Sequence, residues 1–148
     1  MGSFAGKRAV VTGAGTGIGQ RIAIELGKRG AAVAIHYHAN AAGAEETARA
    51  IRESRGRAFL IQANLARFQE CTRLIAACAS VLGGIDLLIN NAALSPEAPF
   101  LDLSDELWNR VLATKLRAPF FCAQAAAREM IRQGRGGKII HVGSAHGF

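Results

Sequence analysis

The sequence predicts an α/β fold, a doubly wound parallel sheet with helices on both of its faces. Three observations carry that expectation. Short β-branched runs alternate with longer stretches whose apolar residues recur at helical spacing. Half of the 148 residues are hydrophobic and fall in these periodic blocks, which separates the chain from disordered polymers. A chain of this size can bury about 68–70% of its unfolded surface, so one core needs no disulfide or metal to support it.

The elements follow in order. Residues 8–12 form a first strand, which passes through a glycine-rich turn into a helix over residues 17–29, where Ile18, Ile22 and Leu26 recur every four positions. Residues 31–37 are a second strand, 42–54 a second helix and 58–63 a third strand. A helix over residues 68–82 stops at Gly83-Gly84, a C-cap signal. Residues 85–89 make a fourth strand, apolar apart from Asp86, as suits a strand covered on both faces. After a loop containing Pro96 and Pro99, Ser104 is a fitting N-cap for a long helix running towards Arg132, with a kink expected at Pro119. Gly136-Gly137 then turns the chain into a fifth strand, residues 138–142. No linker, repeat or low-complexity tract divides the chain, so residues 1–148 read as one domain.

Composition excludes several functions. The formal charge is +7, from 18 Lys and Arg against 11 Asp and Glu. The basic residues are scattered over helix faces and ends, as in Arg49, Arg52 and Arg55, and only Tyr37 and Trp108 join the phenylalanines as stacking platforms, so no nucleic-acid partner is expected. No apolar run approaches the roughly 18 residues of a membrane span, the amino terminus lacks a signal-peptide core, and Gly6 stands where a myristoylation signal wants Ser or Thr. Cys71, Cys78 and Cys122 form no CxxC pair and read as reduced core thiols of a cytoplasmic protein. The histidine pairs His36/His38 and His141/His146 have no cysteine or carboxylate at ligand spacing, so no metal site is expected.

The first strand leads into Thr12-Gly13-Ala14-Gly15-Thr16-Gly17-Ile18-Gly19. A strand-turn-helix junction of this kind can hold a diphosphate against backbone N–H groups and the positive helix end. It departs from strict GxGxxG spacing, and by itself it is equally compatible with a tight turn. The same segment resembles the cofactor turn of the short-chain dehydrogenases/reductases of classical type, especially ketoacyl-reductase-like and sugar-dehydrogenase-like members. The resemblance continues through Gly84-Ile85-Asp86-Leu87-Leu88-Ile89-Asn90-Asn91-Ala92, Trp108-Asn109-Arg110-Val111-Leu112 and Gly137-Lys138-Ile139-Ile140, in the right order along essentially the whole chain. It implies a Rossmann-type sheet with strand order 3-2-1-4-5, comprising the first five strands of a domain whose C-terminal part is missing.

It also implies a dinucleotide lying across the strand ends. Gly13, Gly15, Thr16, Gly17, Ile18 and Gly19 would surround the diphosphate, Asn91 and Ala92 the adenosine ribose, and Asn64-Leu65 the adenine. Position 64 is usually Asp in the family, and Ala93 replaces a glycine beside the cofactor. The second strand ends in His36-Tyr37-His38-Ala39-Asn40 with no carboxylate to repel a 2′-phosphate, so NADP(H) is favoured over NAD(H). His36 and Asn40 could meet that phosphate; otherwise His36 and His38 are polar strand-end residues.

Of the family's catalytic residues, Ser144 matches the serine that positions the substrate oxygen. The single tyrosine, Tyr37, has Ala41 four residues on and cannot supply the Tyr-xxx-Lys pair, which would lie beyond Phe148. Lys115 replaces the family's helix asparagine, where it could supply a missing charge, weaken a water relay or point outward. The resemblance thus implies an NAD(P)-dependent oxidoreductase acting on a small carbonyl or alcohol, dimeric or tetrameric through the helix around Trp108 to Met130, with the 148 residues inactive alone. The alternative is a nucleotide-binding or interaction module that has lost the chemistry.

Overall fold

The computed structural model describes residues 3–94, 96 and 98–143. Five parallel strands, β1 (Arg8–Val11), β2 (Ala32–Tyr37), β3 (Arg57–Gln62), β4 (Leu87–Asn90) and β5 (Lys138–His141), form one sheet in the order β3-β2-β1-β4-β5. The fold class and strand order implied by the sequence are those observed. Val10 pairs with Ala34 on one side and Leu88 on the other, and Ile89 pairs with Ile140.

Strand side chains alternate between two cores, as the two-residue period of a strand requires. Ala9, Val11, Val33, Ile35, Leu87 and Ile89 meet α1 (Gly17–Lys28) and α2 (Ala41–Glu53), where Ala23, Leu26, Ala48 and Ile51 are buried. Val10, Ala32, Ala34 and Leu88 meet α3 (Phe68–Leu82) and α5 (Ala118–Gln133), which supply Leu74, Ile75, Cys78, Cys122, Ala126 and Met130. All three cysteines are buried free thiols in this second core.

Two clamps fix the ends of the strands away from the turn. Arg8 Nε and Nη2 donate to the Asp86 carboxylate at 2.8 and 2.7 Å, while Arg8 N donates to Asp86 Oδ2 at 2.9 Å. Gln133 at the end of α5 pairs its carboxamide with Ile85, accepting from Ile85 N at 2.7 Å and donating to Ile85 O at 2.8 Å. Ile85 thus spends both backbone groups on a side chain, while Asp86 bonds through its backbone to Arg8 O and Lys138 N at 2.9 and 3.0 Å, and β4 starts at Leu87, two positions later than periodicity suggests.

The long helix differs from expectation. Ser104 caps α4 (Asp105–Leu112), its hydroxyl accepting from Leu107 N at 3.1 Å, but residues Ala113–Arg117 form a π-helical turn before α5 begins. Pro119 lies in the first turn of α5, where its missing N–H leaves nothing unpaired within that helix. In a continuous α-helix its ring would press on the carbonyl of Lys115, four residues earlier, and the wider turn gives that ring room.

Candidate functional site

The C-terminal ends of β1, β2 and β4 converge on a cleft of about 680 Å³. Thr12, leaving β1, is 1% exposed, and its hydroxyl accepts from Asn91 N at 2.9 Å and Ala92 N at 3.0 Å. Asn91 answers with its side chain, donating Nδ2 to Thr12 O at 3.0 Å and Gly13 O at 3.1 Å. The turn after β1 and the loop after β4 are thereby joined by four hydrogen bonds. Glycine is needed where they touch. Gly13 has φ +65°, and a Cβ there would lie 2.8 Å from Ala92 Cα. A Cβ at Gly19 would fall on Asn91 Nδ2 and Gly13 O.

Thr16 is the N-cap of α1 but places no side-chain hydrogen bond on the helix, and the first turn contains no acidic residue. The leading N–H groups of α1 therefore lack both an intrahelical acceptor and a competing carboxylate. Thr16, Gly17 and Ile18 line the cleft on this side, and Asn64, Leu65, Ala92 and Ala93 line it opposite. Asn64 Oδ1 accepts from Ala66 N at 3.0 Å, and Asn64 N donates to Glu70 Oε2 at 2.7 Å. That backbone donor, followed by Arg73 and Arg67, holds the Glu70 carboxyl below its ordinary range.

His36 and Asn40 do other work than the sequence suggested. The His36 ring is 2% exposed; Nδ1 accepts from Gly13 N at 3.0 Å and Nε2 lies 3.1 Å from Ala63 O. Asn40 donates Nδ2 to Gly15 O at 3.1 Å and accepts from Gly43 N at 3.0 Å, capping α2. Both side chains turn onto the backbone of the glycine turn, leaving them unsuited to grip a 2′-phosphate. Thr47, which carried no sequence signal, supports the same turn, its hydroxyl 2.9 Å from Ala14 O.

Burial pushes His36 down to about 4 from 6.5. The unfolded chain thus takes up this proton first as pH falls, so the folded state's advantage is complete above 6.5 and declines towards 4. Protonation should remove on the order of 3 kcal/mol over that interval. Urea denaturation at a series of pH values should show this slope, and His36→Phe should lack it.

A second cavity, about 380 Å³, adjoins the first between the ends of β1, β4 and β5 and the π-helical turn. Lys115, Asn90 and His141 contribute its polar lining. Lys115 is exposed and forms no ion pair among the described residues. Asn90 Nδ2 donates to Pro119 O at 3.2 Å, tying β4 to the start of α5. Tyr37, at the end of β2, packs against the core beneath α1 and α2. Ser144 lies outside the described residues. Among the described residues no group of three metal-ligating side chains converges, and no helix is long and apolar enough to cross a membrane.

A parallel sheet in this order, with a glycine turn and an open helix N-terminus at its C-terminal edge, defines a Rossmann-type dinucleotide-binding fold. The family model of the short chain dehydrogenases matches residues 7–148, and the chain belongs to that family. It is 40% identical over 141 residues to L-rhamnose 1-dehydrogenase (NAD(P)(+)) of Azotobacter vinelandii, covering 93% of this chain and 55% of that protein. It is 36% identical over 141 residues to the 3-oxoacyl-[acyl-carrier-protein] reductase FabG of Staphylococcus epidermidis, covering 95% of this chain and 57% of the relative. A short chain dehydrogenase from Burkholderia cenocepacia, solved in complex with NADP, superposes with a TM-score of 0.90 at 37% identity, over 96% of this chain and 57% of its own. The chain spans about half the length of the curated relatives it matches.

Proposed function

We propose that these residues form the cofactor-binding part of an oxidoreductase that passes a hydride between a nicotinamide dinucleotide and a small carbonyl or alcohol substrate, with NADP(H) preferred. The observation that supports this most is the open N-terminus of α1 on a cleft whose walls approach so closely that Gly13 and Gly19 have no room for a side chain. Such a cradle suits a diphosphate approached by backbone. Gly13, Gly15, Thr16, Gly17, Ile18 and Gly19 would hold that group, Asn64 and Leu65 the adenine, and Asn91 and Ala92 the ribose, with the Ala93 methyl close to the cofactor. The dinucleotide, when bound, supplies or accepts the hydride; the chain binds and orients it.

Preference for NADP(H) rests on the absence of a carboxylate between β2 and α2, where the exposed His38 lines the cleft. With His36 and Asn40 engaged elsewhere, the preference is for tolerance of a 2′-phosphate and not for a dedicated grip. Fluorescence titration should give tighter binding of NADPH than NADH, and a tenfold preference for NADH would reject the assignment.

Ser144 would position the substrate oxygen. General acid–base catalysis contributes about 10²–10⁴ in rate, and Tyr37 is packed on the wrong core to supply it, so the 148 residues should bind cofactor without turnover. The exposed Lys115 favours the outward or weakened-relay reading, and it is also the observation that keeps a non-catalytic nucleotide-binding module as the second reading. Trp108, Leu112, Leu116 and Phe120 expose apolar surface along α4, the π-helical turn and α5, which suits self-association into a homodimer or homotetramer. Three free thiols suit a reducing compartment such as the cytoplasm.

A further inference from the structure

We infer that His36 is a positioning residue for the cofactor, a neutral imidazole that ties the diphosphate side of the cleft at Gly13 to the adenine side at Ala63. The inference rests on the dinucleotide reading given above. Its basis is the two-sided geometry of one ring. Gly13 N can only donate, so Nδ1 must be the unprotonated acceptor at 3.0 Å. The ring proton then sits on Nε2 and is donated to Ala63 O at 3.1 Å.

One tautomer satisfies both bonds, and neither the other tautomer nor the imidazolium does. Backbone contacts hold the two ends against the ring: Ala14 N donates to His36 O at 2.9 Å, and Ala63 N donates to Tyr37 O at 3.1 Å. Gly13 opens the turn that surrounds the diphosphate, and Ala63 immediately precedes Asn64, on the adenine side. A plane of fixed width between them sets the span of the cleft, and with the ring 2% exposed, water cannot substitute for either bond.

The charged groups acting on the ring are His38, two residues along the chain, which disfavours its protonation, and Glu70 on α3, which favours it. The glycine turn and residues 63–66 carry no titratable side chain. Burial outweighs Glu70, and the ring stays neutral at ordinary pH.

Isosteric replacement separates the two bonds. In His36→Asn the carboxamide oxygen stands near Nδ1 and can accept from Gly13, whereas in His36→Gln the carboxamide stands near Nε2 and can serve only Ala63. Each variant keeps one bond and loses the other, so NADPH titration of the 148-residue chain should find both His36→Asn and His36→Gln weakened by about tenfold or more. Affinity within about threefold of wild type for either variant would overturn the inference. Ring ¹⁵N NMR of the unmutated protein provides a readout that does not depend on the variants folding. It should show a single neutral tautomer, protonated on Nε2, from pH 7 down to about 5, and a ring protonated on Nδ1, or titrating at its ordinary value, would overturn the inference. If the unmutated protein binds neither dinucleotide, the cofactor reading fails, whereas the ring spectrum still decides whether the brace exists.

Discussion

Gly19→Ala should abolish dinucleotide binding and destabilise the fold by about 3–5 kcal/mol, the sum of an overpacked contact and weakened hydrogen bonds beside it. The added methyl would fall on Asn91 Nδ2 and Gly13 O, the partners of the bond that joins the two walls of the cleft. Neither is the free end of a flexible chain. Asn91 is held by its backbone N–H on Thr12 Oγ1 and by Nδ2 on Thr12 O, so yielding would break contacts on both strands. Urea denaturation with NADPH titration tests this, and an unchanged midpoint with affinity within about threefold of wild type would contradict it.

Asp86→Ala should cost about 3 kcal/mol while leaving dinucleotide affinity nearly unchanged. Arg8 and Asp86 are 11% and 15% exposed in their side chains, and the carboxylate accepts three bonds from Arg8. Removing it strands a guanidinium with little water to replace those bonds. The clamp lies at the start of β1 and just before β4, away from the turn at Thr12, which is why stability and binding should separate. Arg8 holds the Asp86 carboxyl below its usual value of 3.8. Its stabilising contribution is therefore present above that value and is lost as the pH falls through the lowered one. Chemical denaturation of the variant at neutral and acid pH, beside NADPH titration, measures both effects.

The five strands and the glycine turn were legible because residue type constrains them, whereas the strand order followed from the family resemblance. Apolar blocks flanked by turn residues admit few alternatives to a parallel sheet, and close backbone approach at Gly13 and Gly19 admits only glycine. His36 and Asn40 were named as side chains that could meet a 2′-phosphate, and both bond the backbone of the glycine turn. Polarity shows that a side chain will find a hydrogen bond; it does not show that the nearest acceptor or donor is the backbone of another turn. The alternation in β2 carried part of the answer, since position 36 shares a face with the buried Ala32 and Ala34. Pro119 signalled a disruption, yet the strain is taken up over Ala113–Arg117, because the clash of a proline is with the carbonyl four residues behind it. Thr47 and Gln133 left no local trace, for their partners lie 33 and 48 residues away.

The thiols between α3, α5 and the sheet give the molecule a built-in clock. Cys71, Cys78 and Cys122 are wholly buried; burial pushes the Cys78 thiol up to about 12, and the neighbouring Cys71 together with burial pushes Cys122 up as well. Neither of these two thiols can ionise or meet a reagent while the helices stay seated. Their alkylation rate would therefore count how often α3 and α5 part from the sheet, a record of breathing motions kept by the protein's own atoms without any attached label.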